Sequence, residues 1–114
     1  MNITIVELPE FIRKSEKLLN NDEHDFLISF LAANPTAGIL IQGTGGVRKL
    51  RWAKGNKGKS GSTRIIYFYH NPTMPLFILT AFSKNEQANL TKAQRNELAG
   101  FTKLLIQNYK ATHG

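Results

Sequence analysis

The hydrophobic and polar positions divide the chain into short, well-separated elements. Residues 2–7 hold Ile3, Thr4, Ile5 and Val6 in a β-branched run, which predicts a short first strand. Pro9 suits the first position of a helix, and Phe11, Ile12, Leu18 and Leu19 give residues 11–19 an imperfect amphipathic pattern. A second helix is clearer. Asp22 is placed to cap it, Phe26, Leu27, Phe30 and Leu31 make one face, and Asn34-Pro35 ends it. The two helices are expected to form a hairpin.

Glycines at 38, 43, 45 and 46 then interrupt regular structure, and residues 47–52 resume as a strand. Alternation puts Leu50 and Trp52 on one face of it and Lys49 and Arg51 on the other. Residues 54–62, rich in Gly, Lys, Ser and Asn, read as a mobile hairpin loop. Residues 64–69 and 76–82 are apolar, β-branched and aromatic runs joined by His70-Asn71-Pro72-Thr73, the pattern of two adjacent central strands. Thr91 and Gln94 have capping-box spacing, and Leu98, Phe101, Leu105 and Tyr109 recur at helical intervals, so a last helix should pack on the sheet. The order predicts one α+β domain over residues 1–114: an N-terminal strand and helical hairpin, an antiparallel sheet meander and a C-terminal helix. No internal repeat, linker or low-complexity tract interrupts it.

Composition narrows the function classes. At 114 residues and 41% hydrophobic content the chain suffices for one packed domain. It has no cysteine, which excludes a disulfide framework and a thiolate metal site. Glu7, Glu10, Arg13, Lys14, Glu16 and Lys17 interrupt the first nineteen residues, so neither a signal-peptide core nor a membrane span is expected there, and the expected location is the cytoplasm. The net charge of +7 is unevenly spread. Residues 1–34 carry −3, residues 65–114 carry +3, and residues 48–64 carry +7 with no acidic residue at all. That block, made of Arg48, Lys49, Arg51, Lys54, Lys57, Lys59 and Arg64, has the signature of a polyanion partner, nucleic acid before an anionic membrane. A solvated, solubilising surface run is the plainer reading of the same charges.

Two apparent nucleotide motifs fail on context. Gly58-Lys59-Ser60 looks like the end of a phosphate-binding loop, but the glycine required five positions earlier is Ala53, and Arg64-Ile65-Ile66-Tyr67 downstream reads as a strand rather than a helix. Gly43-Thr44-Gly45-Gly46 resembles the start of a dinucleotide fingerprint, yet Arg48 stands at the third glycine position and no βαβ pattern comes after it. It is better read as a turn.

The stretch from Gln42 to Arg51, then Lys57-Gly58-Lys59, Thr63-Arg64-Ile65-Ile66-Tyr67 and Ser83-Lys84-Asn85-Glu86, resembles toxins of the RelE superfamily, most closely the HigB-like branch. The resemblance spans nearly the whole chain and includes the order of elements. It implies a RelE-like fold and a ribosome-dependent endoribonuclease that cuts mRNA in the ribosomal A site. It also implies silencing by an antitoxin encoded beside it, commonly a helix-turn-helix HigA-like protein, with operator DNA bound only through the complex. By position, Lys57 and Lys59 match the loop lysines that the family uses for acid–base work and phosphate contact, and Arg64 matches the strand arginine that steadies the scissile phosphate. Asn85 stands where RelE-type toxins often have arginine, and the tyrosine they carry a few residues later is absent between Glu86 and Thr91.

The residues themselves offer a compatible chemistry. Attack of a ribose 2′-OH on the adjacent phosphate needs a proton acceptor, stabilisation of the phosphorane charge and a proton donor for the leaving 5′-oxygen. His24, His70 and His113 fall in a helix, a turn and the tail, where surface roles are the plainer reading. Lysine remains, since crowding by other cations loosens its proton, and Lys57 or Lys59 beside Arg64 is so placed. Arg64 presents a planar fork to two phosphate oxygens, with a structural ion pair as its alternative. Lys84, after the neighbouring central strand, is expected near Arg64. Arg48, Lys49, Arg51 and Lys54 are expected to hold RNA backbone or an acidic antitoxin segment. Tyr67 or Tyr69 is a candidate base-stacking surface, although strand aromatics are more often core and at least one of the two is expected to be. Neither a cofactor nor a metal is called for. The competing reading is a non-catalytic basic module that binds nucleic acid or docks an acidic partner.

Overall fold

A computed structural model describes residues 2–52, 63–87 and 89–113. The elements run β1 (Ile5–Glu7), α1 (Pro9–Leu18), α2 (Asn21–Ala33), β2 (Ile39–Leu40), β3 (Val47–Trp52), β4 (Thr63–Phe68), β5 (Leu76–Ser83) and α3 (Lys92–His113). One sheet takes the order β1-β5-β4-β3-β2. Its middle is the expected antiparallel meander β3-β4-β5, with β2 added antiparallel at one edge. At the other edge β1 lies parallel to β5, Ile5 opposite Leu76.

The central position of β4 agrees with its composition. All six residues of Thr63–Phe68 are buried, as a strand covered on both faces requires. Alternate residues serve two cores. Ile65 and Tyr67 join Phe11, Leu19, Leu27 and Leu31 beneath α1 and α2, while Ile66 and Phe68 join Val47, Leu79, Phe82 and Leu90 beneath α3. Both isoleucines are fully buried, and truncating either to alanine is expected to cost about 2–5 kcal/mol. A register shift lets the meander serve both layers: Ile66 pairs with Thr80 but Tyr67 with Ile78, which leaves Leu79 unpaired and turned into the α3 core.

The helix ends correct one expectation. Asn20, not Asp22, caps α2, accepting from Glu23 N while the Glu23 carboxylate accepts from Asn20 N, both at 2.8 Å. Asp22 instead lies in the first turn, where its charge suits the helix dipole. Thr91 and Gln94 make the reciprocal bonds expected before α3. The glycine segment is the expected turn, with positive φ at Gly43, Gly45 and Gly46. Thr44 sits fully buried within it, and the Thr102 hydroxyl donates to its carbonyl at 2.9 Å, which fastens the turn to α3.

Candidate nucleic-acid interface

The pairing of β3 with β4 decides which basic residues meet. Arg51 lies directly opposite Arg64, and Arg64 in turn lies opposite Phe82 of β5. Residues directly opposed across strands share a face, so the two guanidinium groups project to the same side, the side covered by α3. Like charges directly opposite one another are unfavourable as a pair, and here they concentrate positive charge at one end of the sheet. Arg64 is only 8% exposed, whereas Arg51 is exposed. Lys49, two positions before Arg51, is on the same face and donates from Nζ to Asn89 Oδ1 at 2.7 Å.

Asn89 belongs to the segment that leads into α3. Leu90 beside it plugs into the α3 core, and Gln87 Nε2 donates to the Asn89 carbonyl at 2.9 Å and to Gln94 Oε1 at 3.1 Å. The start of α3, with the partial positive charge of its terminal amides, therefore stands beside Lys49. Asn89 was not legible as a member of this group, because nothing in the sequence announces that residue 89 crosses back to β3.

Lys84 comes directly after β5, exposed in the turn formed by residues 84–86, and Ser83 before it pairs with Thr63. It thus leaves the sheet at the end where β4 begins with Thr63 and Arg64 and β3 finishes with Arg51 and Trp52. Lys54, Lys57 and Lys59, together with the expected hairpin loop, lie outside the described residues. That segment connects Trp52 to Thr63, which are paired at this same end of the sheet.

Two expected members of the interface belong elsewhere. Arg48 shares the α2 side of β3 with Leu50, not the side of Lys49, and its Nη1 donates to the Gly38 carbonyl at 2.9 Å, anchoring the loop after α2. Tyr67 has 0% exposure and no face for a base to stack on. Its hydroxyl accepts from Gly38 N at 2.8 Å and donates to the Pro35 carbonyl at 2.9 Å. Burial pushes the phenol pKa up, against smaller lowering contributions from the Gly38 hydrogen bond and from Arg48. Gly38 is needed for this approach, since a Cβ there would stand 2.9 Å from the tyrosine ring.

The histidines are placed away from the arginine pair. His24, half-buried, pairs with Glu7 of β1 at 2.5 Å. His70 and His113 line a cavity at the turn between β4 and β5, the opposite end of the sheet from Arg64. Among the described residues, no three His, Asp or Glu side chains gather as a metal set.

A family model described as the RelE toxin of the RelE/RelB toxin–antitoxin system matches residues 36–112. That is more than half of the chain and includes all of β3, β4 and β5. The chain belongs to the RelE toxin family. The fold agrees: an arginine-to-alanine double mutant of E. coli toxin RelE in the free state superposes with a TM-score of 0.55 at 13% identity, covering 77% of this chain and 90% of that one. This RelE-family protein is a toxin-type domain of a toxin–antitoxin system. None of its described helices is long and apolar enough to cross a membrane.

Proposed function

We propose that this RelE-family toxin is a ribosome-dependent mRNA endoribonuclease of the HigB-like branch. It acts in the cytoplasm, cuts mRNA in the ribosomal A site and is neutralised by a helix-turn-helix antitoxin of the HigA kind, with operator DNA engaged only through the complex. The reaction needs no metal. The ribose 2′-oxygen attacks the adjacent phosphorus, the bond from phosphorus to the 5′-oxygen breaks, and the products are a 2′,3′-cyclic phosphate and a 5′-hydroxyl. The proton lost from the 2′-hydroxyl goes to a general base and another is given to the 5′-oxygen. Lys57, Lys59 and Lys84 are the candidates for those transfers. Arg64 holds the scissile phosphate through its planar fork, and Arg51, Lys49 and Lys54 hold the flanking backbone.

The observation that supports this reading most is the alignment of Arg51 with Arg64 on one sheet face, at the end where Lys84 leaves β5 and the lysine-bearing segment leaves β3. A polyanion lying across this end of the sheet can meet Arg51, Arg64 and Lys84 together. The test is expression of the chain alone, with 5′-end mapping on translated mRNA, beside the Arg64→Ala variant. The variant is expected to lose about 10²–10³-fold in turnover, the scale of one charge-stabilising group, while ribosome binding changes only severalfold. Equal losses in binding and cleavage would instead favour a binding module, and absence of cleavage by the unaltered chain would refute the proposal.

A further inference from the structure

We propose that Glu86 is a positioning residue that fixes Lys84 for the reaction, an inference that rests on the ribonuclease reading of this site. Among the described residues, three segments make reciprocal bonds of the capping-box kind. Two of them, Asn20 with Glu23 and Thr91 with Gln94, begin helices. The third begins none. Ser83 N donates to Glu86 Oε1 at 3.3 Å, and Glu86 N donates back to Ser83 Oγ at 3.2 Å. The amides of Glu86 and Gln87 also donate to the Ser83 carbonyl, at 3.0 and 3.3 Å. With no helix to start, the clasp closes one turn, and the residues it encloses are Lys84 and Asn85.

Charge makes the same point. From residue 35 to the C-terminus the only carboxylate side chains are Glu86 and Glu97. A negative charge beside a phosphate-binding surface weakens it, so Glu86 is retained at an electrostatic cost unless it organises something there. Its second oxygen, Oε2, stands 3.8 Å from Lys14 Nζ, which ties the turn to α1. The pair is partly exposed and contributes little to stability, but it gives the turn a second fixed point. Lys84 itself is exposed and has a long flexible stem, so the placement of its amine depends on the backbone from which it grows. Displacement of a reacting group by about 1 Å is enough to lose about a hundredfold in rate.

The experiment measures cleavage of mRNA on programmed ribosomes by Lys84→Ala, Glu86→Ala, their double variant and Glu86→Gln. Glu86→Ala is expected to lower kcat by about tenfold to a hundredfold. KM should stay within about threefold, because the interaction acts on the reacting group rather than on binding. Glu86→Gln, whose amide oxygen still accepts from Ser83 N, should recover most of the loss. In the Lys84→Ala background Glu86→Ala should have no further effect beyond about twofold, since the lysine it positions is gone. Thermal melting of each variant checks that the fold is kept. Independent, multiplying losses in the double variant would overturn the inference, as would an unaffected kcat in either single alanine variant. A wild-type chain that cuts no mRNA would remove the ribonuclease reading and this inference together, and is distinguishable from all of these.

Discussion

Replacing Tyr67 with phenylalanine removes one oxygen atom from the centre of the sheet and should unfold the protein far more easily. The ring stays, so packing against Ile65 and Leu76 is unchanged, and only the hydroxyl's two bonds are lost. One of the groups abandoned is the buried Gly38 amide, held at 2.8 Å; the other is the part-buried Pro35 carbonyl, at 2.9 Å. A buried polar group left unpaired costs about 1–3 kcal/mol, and the carbonyl can regain some hydration, so the sum is about 2–3 kcal/mol. For a domain of this size that corresponds to a fall in Tm of about 8–15 °C. Urea and thermal melts monitored by circular dichroism measure it. The turnover of the folded variant should be unchanged, because the ring reaches no solvent. A stability loss below about 0.5 kcal/mol would refute the idea that this hydroxyl holds the loop after α2. A cleavage defect in the folded variant would return Tyr67 to the RNA surface.

The same substitution should alter the alkaline limb of the stability curve. The folded pKa of Tyr67 is raised above its usual 10.0, so the folded chain holds this proton more tightly than the unfolded one; the contribution is complete below pH 10 and is lost as pH climbs toward the raised value, so the wild-type advantage over Tyr67→Phe narrows there. Arg48→Ala should lower stability by about 1–3 kcal/mol, through loss of its bond to the Gly38 carbonyl, with little change in RNA contact per folded molecule. Lys49→Ala should do the reverse, weakening ribosome or RNA binding and flattening its dependence on salt while the melting temperature stays within a few degrees. Thr102→Val keeps the shape but abandons the Thr44 carbonyl, and a destabilisation of about 1–2 kcal/mol in urea melts is expected.

The sequence made most of the layers legible because local and global signals agree in them. The mostly apolar β4, the alternation in β3 and the capping box at Thr91 and Gln94 each say what the finished fold says. What escaped is nonlocal or too short to leave a period. β2 is two exposed residues, Ile39 and Leu40, in a segment that reads as a glycine-broken loop. The parallel seating of β1 on β5 joins residues some seventy positions apart, and a single strand pattern holds no record of its partner. For the site, alternation correctly paired Lys49 with Arg51, and carried one step back it would have put Arg48 with Leu50 and Trp52. Tyr67 was ambiguous because an aromatic at that register suits either a core or a stacking surface. Its partners, Pro35 and Gly38, are remote in sequence. The clasp at Ser83 and Glu86 does have a local signal, serine with glutamate three places on, but without a helix behind it the spacing had no evident purpose.

The parallel edge pairing has a bearing on how the protein is made. During synthesis Ile5, Val6 and Glu7 emerge early, but their seats at Leu76, Phe77 and Ile78 appear only after most of the chain, and α3, which covers the opposite face, comes last of all. Contacts this distant in sequence are slow to form and cannot be anticipated by the nascent N-terminal third. A growing chain therefore lacks, until late, both the strand that leads into Lys84 and the segment that brings Asn89 against Lys49.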